Sequence, residues 1–109
     1  MIKSGRCEFS FRETGHFITD KEWIHPDVTQ KTHQVIFVTA GEVHINEDGK
    51  EYSLKRGDTL YLKAHKRHYG FKPSVGFTSF YWVHFFLNDF STIRLISNVD
   101  PVERREFVT

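Results

Sequence analysis

Apolar and polar residues alternate along most of this chain with a period of two, the spacing of half-buried β-strands. Phe9 and Phe11 are interleaved with Ser10 and Arg12. Gln34 to Thr39 (QVIFVT) is a β-branched run with one aromatic, closed by Ala40-Gly41. Glu42 to Asn46 (EVHIN) alternates again. Asp48-Gly49 is a hairpin dipeptide, because both central positions of such a turn favour φ > 0, and Lys50 to Leu54 pairs back across it. Lys55-Arg56-Gly57-Asp58 makes the next turn and Thr59 to Lys63 (TLYLK) the next strand. Residues 64–76 read as a loop or bent strand. Thr78 to Phe86 (TSFYWVHFF) is the most aromatic strand. Short strands at this turn spacing predict an all-β sandwich or closed barrel. The tail is different: Ser91 to Val99 (STIRLISNV) reads as a short strand, and Asp100-Pro101-Val102-Glu103 as a helix start with Pro in its first turn.

The chain's 109 residues suit one domain, with no repeat or linker within it. The reading divides it into an arm and first strands (1–22), a barrel core (23–87), and a C-terminal strand with the start of a linker or helix (88–109). Aromatics make up 16% of residues and Phe alone counts 11, a composition that fills a barrel with rings. Fifteen basic residues against 14 acidic ones leave a net charge of +1, which is no footprint for nucleic acid. The N-terminus lacks the apolar stretch of a signal peptide, and no apolar run approaches a membrane span. A lone cysteine, Cys7, forbids an internal disulfide. Together these predict a soluble cytoplasmic domain that does not engage a membrane.

Gly41-Glu42 and Gly57-Asp58 bracket the central hairpin, glycine supplying turn conformations that other residues resist. The pattern V-x-x-G-E, hairpin, x-L-x-x-G-D, strand resembles the double-stranded β-helix (jelly roll) of the cupin superfamily. Its first motif is G-x5-H-x-H-x3,4-E-x6-G. With Gly41 as the closing glycine, the family's glutamate falls on Gln34 and its two histidines among Asp27, Val28, Thr29 and Gln30. From Gly57, the histidine of the second motif falls on His68. Only one of the four metal-ligand positions holds a ligand of the expected type, so neither a metal nor another cofactor is expected.

A finer resemblance runs from about residue 20 to 86. His33 to Glu42 (HQVIFVTAGE), Gly57 to Leu60 (GDTL), Arg67 to Gly70 (RHYG) and Tyr81 to Phe85 (YWVHF) resemble, in order and spacing, the sensing domain of AraC-type transcription regulators. The resemblance implies a small-molecule effector, most plausibly a carbohydrate, bound by Tyr69 and Trp82. It also implies a homodimer in the full-length protein, and contact with DNA only through a helix-turn-helix domain lying beyond this chain. A tryptophan face stacks on the C–H face of a sugar while hydroxyls and imidazoles bond its hydroxyl groups. His33, His68, Phe80, Phe37 and Tyr61 join the candidate site as residues on the strands expected to face the same cavity. Trp23-Ile24 is expected to staple the N-terminal arm over the barrel. No G-x-S-x-G, no phosphate loop and no activated thiol is present, so catalysis is not expected. The rivals are a metal-dependent cupin enzyme built on His33 and His68, and a dimerisation module whose aromatic barrel is packed shut.

Overall fold

A computed structural model describes residues 9–87 and 102–104. Nine strands form two antiparallel sheets: β1 Phe9–Thr19, β2 Val28–Thr29, β3 His33–Ala40, β4 Glu42–Glu47, β5 Lys50–Lys55, β6 Asp58–Leu62, β7 Arg67–Tyr69, β8 Thr78–Leu87 and β9 Val102–Arg104. One sheet has the order β1-β8-β3-β6-β9 and the other β2-β7-β4-β5. No described residue is helical, and none of the described segments is a helix long and apolar enough to cross a membrane.

The sheets face each other across an aliphatic core. Ile36 and Val38 of β3, Leu60 and Leu62 of β6, and Phe80 of β8 meet Val43 and Ile45 of β4 and Leu54 of β5. Period-two alternation produces this directly: along β3 every second residue from Gln34 to Val38 is buried, and along β6 so are Asp58, Leu60 and Leu62. The central hairpin is the expected one. Asp48 and Gly49 have φ of 53° and 93°, and Glu42 to Glu47 pair with Lys55 to Lys50 across it. At the following turn the Asp58 carboxylate accepts the Lys55 N–H at 2.8 Å, an aspartate bonding its own turn. The buried carboxylate of Glu47 accepts the Lys63 N–H at 2.7 Å and anchors the β6–β7 connection to β4.

One segment differs from the sequence reading, and for another the structure decides between two alternatives. The expected helix start is instead strand β9, whose Val102 to Arg104 pair with Leu60 to Asp58. A proline-led start is a local signal, and pairing with the free edge of β6 overrides it. Within residues 64–76, Arg67–Tyr69 forms β7, which joins β2 to β4. The strand expected at 91–99 lies outside the described residues.

β1 pairs with β8 along its whole length, with one bulge between Phe11 and Glu13. The first segment of the chain therefore contributes a full strand to the sheet. After β1 the chain crosses the open end of the sandwich as a strap. Trp23 and Ser74 exchange backbone hydrogen bonds at 3.0 and 2.7 Å, and the Gly70 N–H donates to the His25 carbonyl at 3.0 Å.

Candidate functional site

Next to the aliphatic core, residues of both sheets and the strap line an open pocket of about 340 Å³, the lower end of the range for small-molecule sites. β1 supplies Glu13 and Phe17; β3 supplies Gln34; β8 supplies Phe80, Trp82 and His84; the strap and β2 supply Trp23, His25, Pro26, Val28 and Gln30. Residues from both sheets and the strap converge because each lies on the inward parity of its element. Phe17, Trp23 and Phe80 pack ring to ring at 4.4–5.7 Å and form an aromatic wall. Trp82 lies beside His84 at 5.1 Å. Its indole lies across β1 where Gly15, its cross-strand partner, has no side chain.

The polar groups around this pocket are unusual. His68 on β7 is 2% exposed, and neither ring nitrogen has a hydrogen-bond partner. The Oε1 atoms of Gln30 and Gln34 are likewise buried without partners. A buried polar group without a partner costs about 1–3 kcal/mol; two of these side chains, Gln30 and Gln34, line the pocket, and His68 lies behind His25. His25 stands 5.1 Å from His68, ring to ring, and its Nδ1–H donates to the Pro26 carbonyl at 2.8 Å, which leaves Nε2 as an acceptor. His84 is 3.4 Å from the Thr32 hydroxyl through Nδ1. All three imidazoles are neutral at pH 7. Burial pushes His68 down to about 4, reinforced by its neighbours His25 and His84. Burial also lowers His25, against the bond to Pro26, and His84, against the pull of Glu13.

Of the residues anticipated from sequence, Trp82 and Phe80 line the pocket, and His68 is buried behind His25. Four others stand elsewhere. Tyr69 is on the opposite parity of β7 from His68, outside the sandwich, with the Arg67 guanidinium 4.4 Å over its ring. It lines a separate pocket of about 270 Å³ with Asn46, Asp48, Gly49 and Arg67. Arg67 is itself held by a bidentate pair to Asp27 at 2.9 and 2.7 Å. His33, Phe37 and Tyr61 lie on the outer face of the five-stranded sheet. The Tyr61 hydroxyl donates to His33 Nδ1 at 2.6 Å, and both rings stack with Phe85. The expectation that their strands turn these side chains into the cavity is corrected by one residue of parity: Gln34, Ile36, Leu60 and Leu62 take the inward positions. Trp23 is bound to the barrel as the strap's inward ring, whereas Ile24 beside it is 49% exposed.

Sequence reasoning missed His25, Glu13 and Phe17, and treated Gln30 and Gln34 only as lost metal-ligand positions. A signal for the two glutamines was present. Counting back from Gly41 by the cupin spacing with its three-residue option gives positions 34, 30 and 28, and Gln34, Gln30 and Val28 all line the pocket.

Comparison with known proteins agrees with this architecture. The model of the cupin domain family matches residues 15–84. The chain belongs to the cupin family. Among solved structures, this cupin is similar to an RmlC-like cupin of Shewanella frigidimarina at 21% identity. The TM-score is 0.61, over 75% of this chain and 69% of the other. It is also similar to a predicted oxalate decarboxylase of Thermotoga maritima at 15% identity, with a TM-score of 0.61 over 72% and 69%. Likeness at these identities shows the fold alone. A segment of 75 residues is 31% identical to the uncharacterized HTH-type transcriptional regulator YisR of Bacillus subtilis strain 168; it covers 69% of this chain and 26% of YisR. The cupin thus spans about a quarter of that relative's length.

Cupins commonly hold a metal at the positions filled here by Val28, Gln30, Gln34 and His68. An apolar side chain, two amides and one imidazole do not make the set of imidazole and carboxylate ligands a divalent metal needs. Among the described residues no group of three or more His, Cys, Asp or Glu stands together as a metal site. Gln30 and Gln34 instead present neutral amides to a pocket with aromatic walls.

Proposed function

We propose that this cupin is the effector-sensing domain of an AraC-type transcription regulator, and that its pocket takes a small hydroxylated molecule of the carbohydrate class. The observation that carries the reading is the pair of unpartnered buried groups on Gln30 and Gln34, which line the pocket with the indole of Trp82, with His68 unpartnered behind His25. Apolar walls that bury a ring's C–H face, with a few convergent polar groups, are the usual make-up of a small-molecule site. The likeness to an HTH-type regulator supports a regulatory role rather than a catalytic one. DNA recognition would belong to a domain outside this chain, in a homodimeric full-length protein.

The strap gives the pocket a mechanical output. Trp23 and His25 line the cavity and are hydrogen-bonded to residues 70–74, so a bound molecule touches both the barrel and the segment that closes it. A ligand shifts a conformational equilibrium only as far as it binds one state more tightly than the other. Contacts to Trp23 and His25 exist only with the strap docked, and ligand binding therefore favours the docked state.

The test is thermal melting against a panel of sugars and polyols, followed by Trp fluorescence. A ligand at 100 times its dissociation constant adds about 2.7 kcal/mol, a shift on the order of 10 °C for a domain of this size. The shift is expected to disappear in Trp82→Ala and to survive in Tyr69→Phe, because Tyr69 lies outside this pocket. A panel that moves the melting temperature with no compound would overturn the reading.

A further inference from the structure

The pocket's polar groups are neutral except for one carboxylate. Gln30 Oε1 and Gln34 Oε1 are acceptors without donors. His25 spends its one N–H on Pro26, which leaves Nε2 to accept. Neutral His68, buried behind His25, has neither ring nitrogen partnered. The walls contribute the electron-rich faces of Trp23, Trp82, Phe17 and Phe80. Glu13 is the only formally charged residue in the lining, which contains no Lys or Arg among the described residues. The cationic groups nearby are engaged elsewhere: Arg12 of β1 sits over the Phe86 ring at 6.0 Å, and Arg67 is paired with Asp27 outside the barrel. The amide and indole N–H groups of Gln30, Gln34, Trp23 and Trp82 supply neutral donors beside these acceptors, and the lining's one fixed charge is negative.

From this inventory we infer that the preferred ligand is an amino sugar, with a protonated amine held at the rim by Glu13 against the Trp82 indole and hydroxyls donating to Gln30, Gln34 and His25. The inference rests on the sensor reading above and narrows its ligand class. An ammonium brings positive charge and three donors to a lining whose one formal charge is the Glu13 carboxylate. Aromatic faces attract a cation through their ring quadrupoles, and partial enclosure strengthens the attraction. A sugar phosphate or sugar acid would bring acceptors and negative charge to a pocket already supplied with both.

Titration calorimetry on the 109-residue chain with three matched pairs tests this: glucose and glucosamine, galactose and galactosamine, mannose and mannosamine. N-acetylglucosamine serves as the uncharged amide control and glucuronate as the anionic one. At least one amine is expected to bind about tenfold more tightly than its neutral partner, the size of a partly enclosed cation–π contact together with a rim ion pair. Acetylation is expected to remove that advantage, and glucuronate to be the weakest. Glu13→Gln, at an exposed position, should reduce the preference severalfold while the melting temperature of the free protein stays unchanged. A neutral sugar that binds as tightly as its amine, or a preference that survives Glu13→Gln, would overturn the amino-sugar assignment and leave the sensor reading standing. Silence from every pair and both controls would overturn both.

Discussion

A single hydrogen atom at position 15 shapes the pocket wall. Gly15 faces Trp82 across β1 and β8, and a Cβ built there would stand 2.3 Å from Trp82 Cζ2 and 2.7 Å from Cε2. On a strand, replacing glycine with alanine ordinarily stabilises by about 0.5–1 kcal/mol. Here the added methyl meets the flat of an indole, and overpacking of that kind costs about 1–3 kcal/mol. Gly15→Ala is therefore expected to destabilise, to shift Trp emission and to abolish ligand-induced stabilisation, because the ring must leave its place in the wall. Urea denaturation with emission spectra checks this. A Gly15→Ala protein more stable than the parent, with unchanged emission, would show that Trp82 does not depend on the missing side chain.

At the scale of the element, one strand carries two unrelated sets of residues. On β3, Gln34 faces the cavity and His33 faces outward to Tyr61. Burial pushes the Tyr61 hydroxyl up to about 12, with Glu47 adding to the shift, so it stays a donor to His33 Nδ1. Two substitutions separate the faces. Tyr61→Phe loses one hydrogen bond, costs about 1 kcal/mol and leaves ligand affinity unchanged. Gln34→Leu removes a buried group whose Oε1 has no partner; it is expected to keep or raise stability while ligand affinity falls at least tenfold. Denaturation and calorimetry on the two variants read this out, and the opposite pattern would place the working face of β3 outside the barrel. The same parity explains what was legible in the sequence. The long strands, the Asp48-Gly49 hairpin and the Asp58 turn follow from local chemistry and were readable, as was the inward pair Phe80 and Trp82. β2 and β7 have two and three residues, too few to show a period, so the difference between His68 and Tyr69 was not. The strap was anticipated at Trp23 through the family resemblance but not at His25, because the two reach the pocket only through backbone bonds to residues 51 and 45 positions later. β9 was misread because Pro101 suits a helix start locally, whereas its pairing with β6 is decided by the whole sheet.

At the scale of the molecule, the jelly roll sets imidazoles beside its aliphatic core, and this arrangement governs its response to pH. His25, His33, His44, His68 and His84 all titrate below 6.5, in each case chiefly because burial disfavours the charged ring. The unfolded chain therefore binds more protons than the folded one as pH falls below 6.5, and stability is lost over that window. His68, displaced from 6.5 to about 4, sets a ceiling on the order of 3 kcal/mol for its own share. Glu47 acts in the opposite sense: burial raises its carboxyl, so the folded state gains relative stability on acidification around pH 4.5. Asp27, lowered chiefly by its bond to Arg67, adds loss only below 3.8. The histidines act first, between pH 6.5 and about 4, and the net slope there is downward. Denaturation at pH 7.5, 6 and 5 is expected to give falling stability, with a shallower fall in His68→Leu, whose buried ring nitrogens have no partners to lose. A saturating ligand that bonds the neutral rings would lower their pKa values further and steepen the fall, so its affinity should weaken as the histidines take up protons. A flat profile between pH 7.5 and 5, or an equal slope in His68→Leu, would mean that the imidazoles are hydrated and that the inner end of the barrel is wetter than its packing indicates.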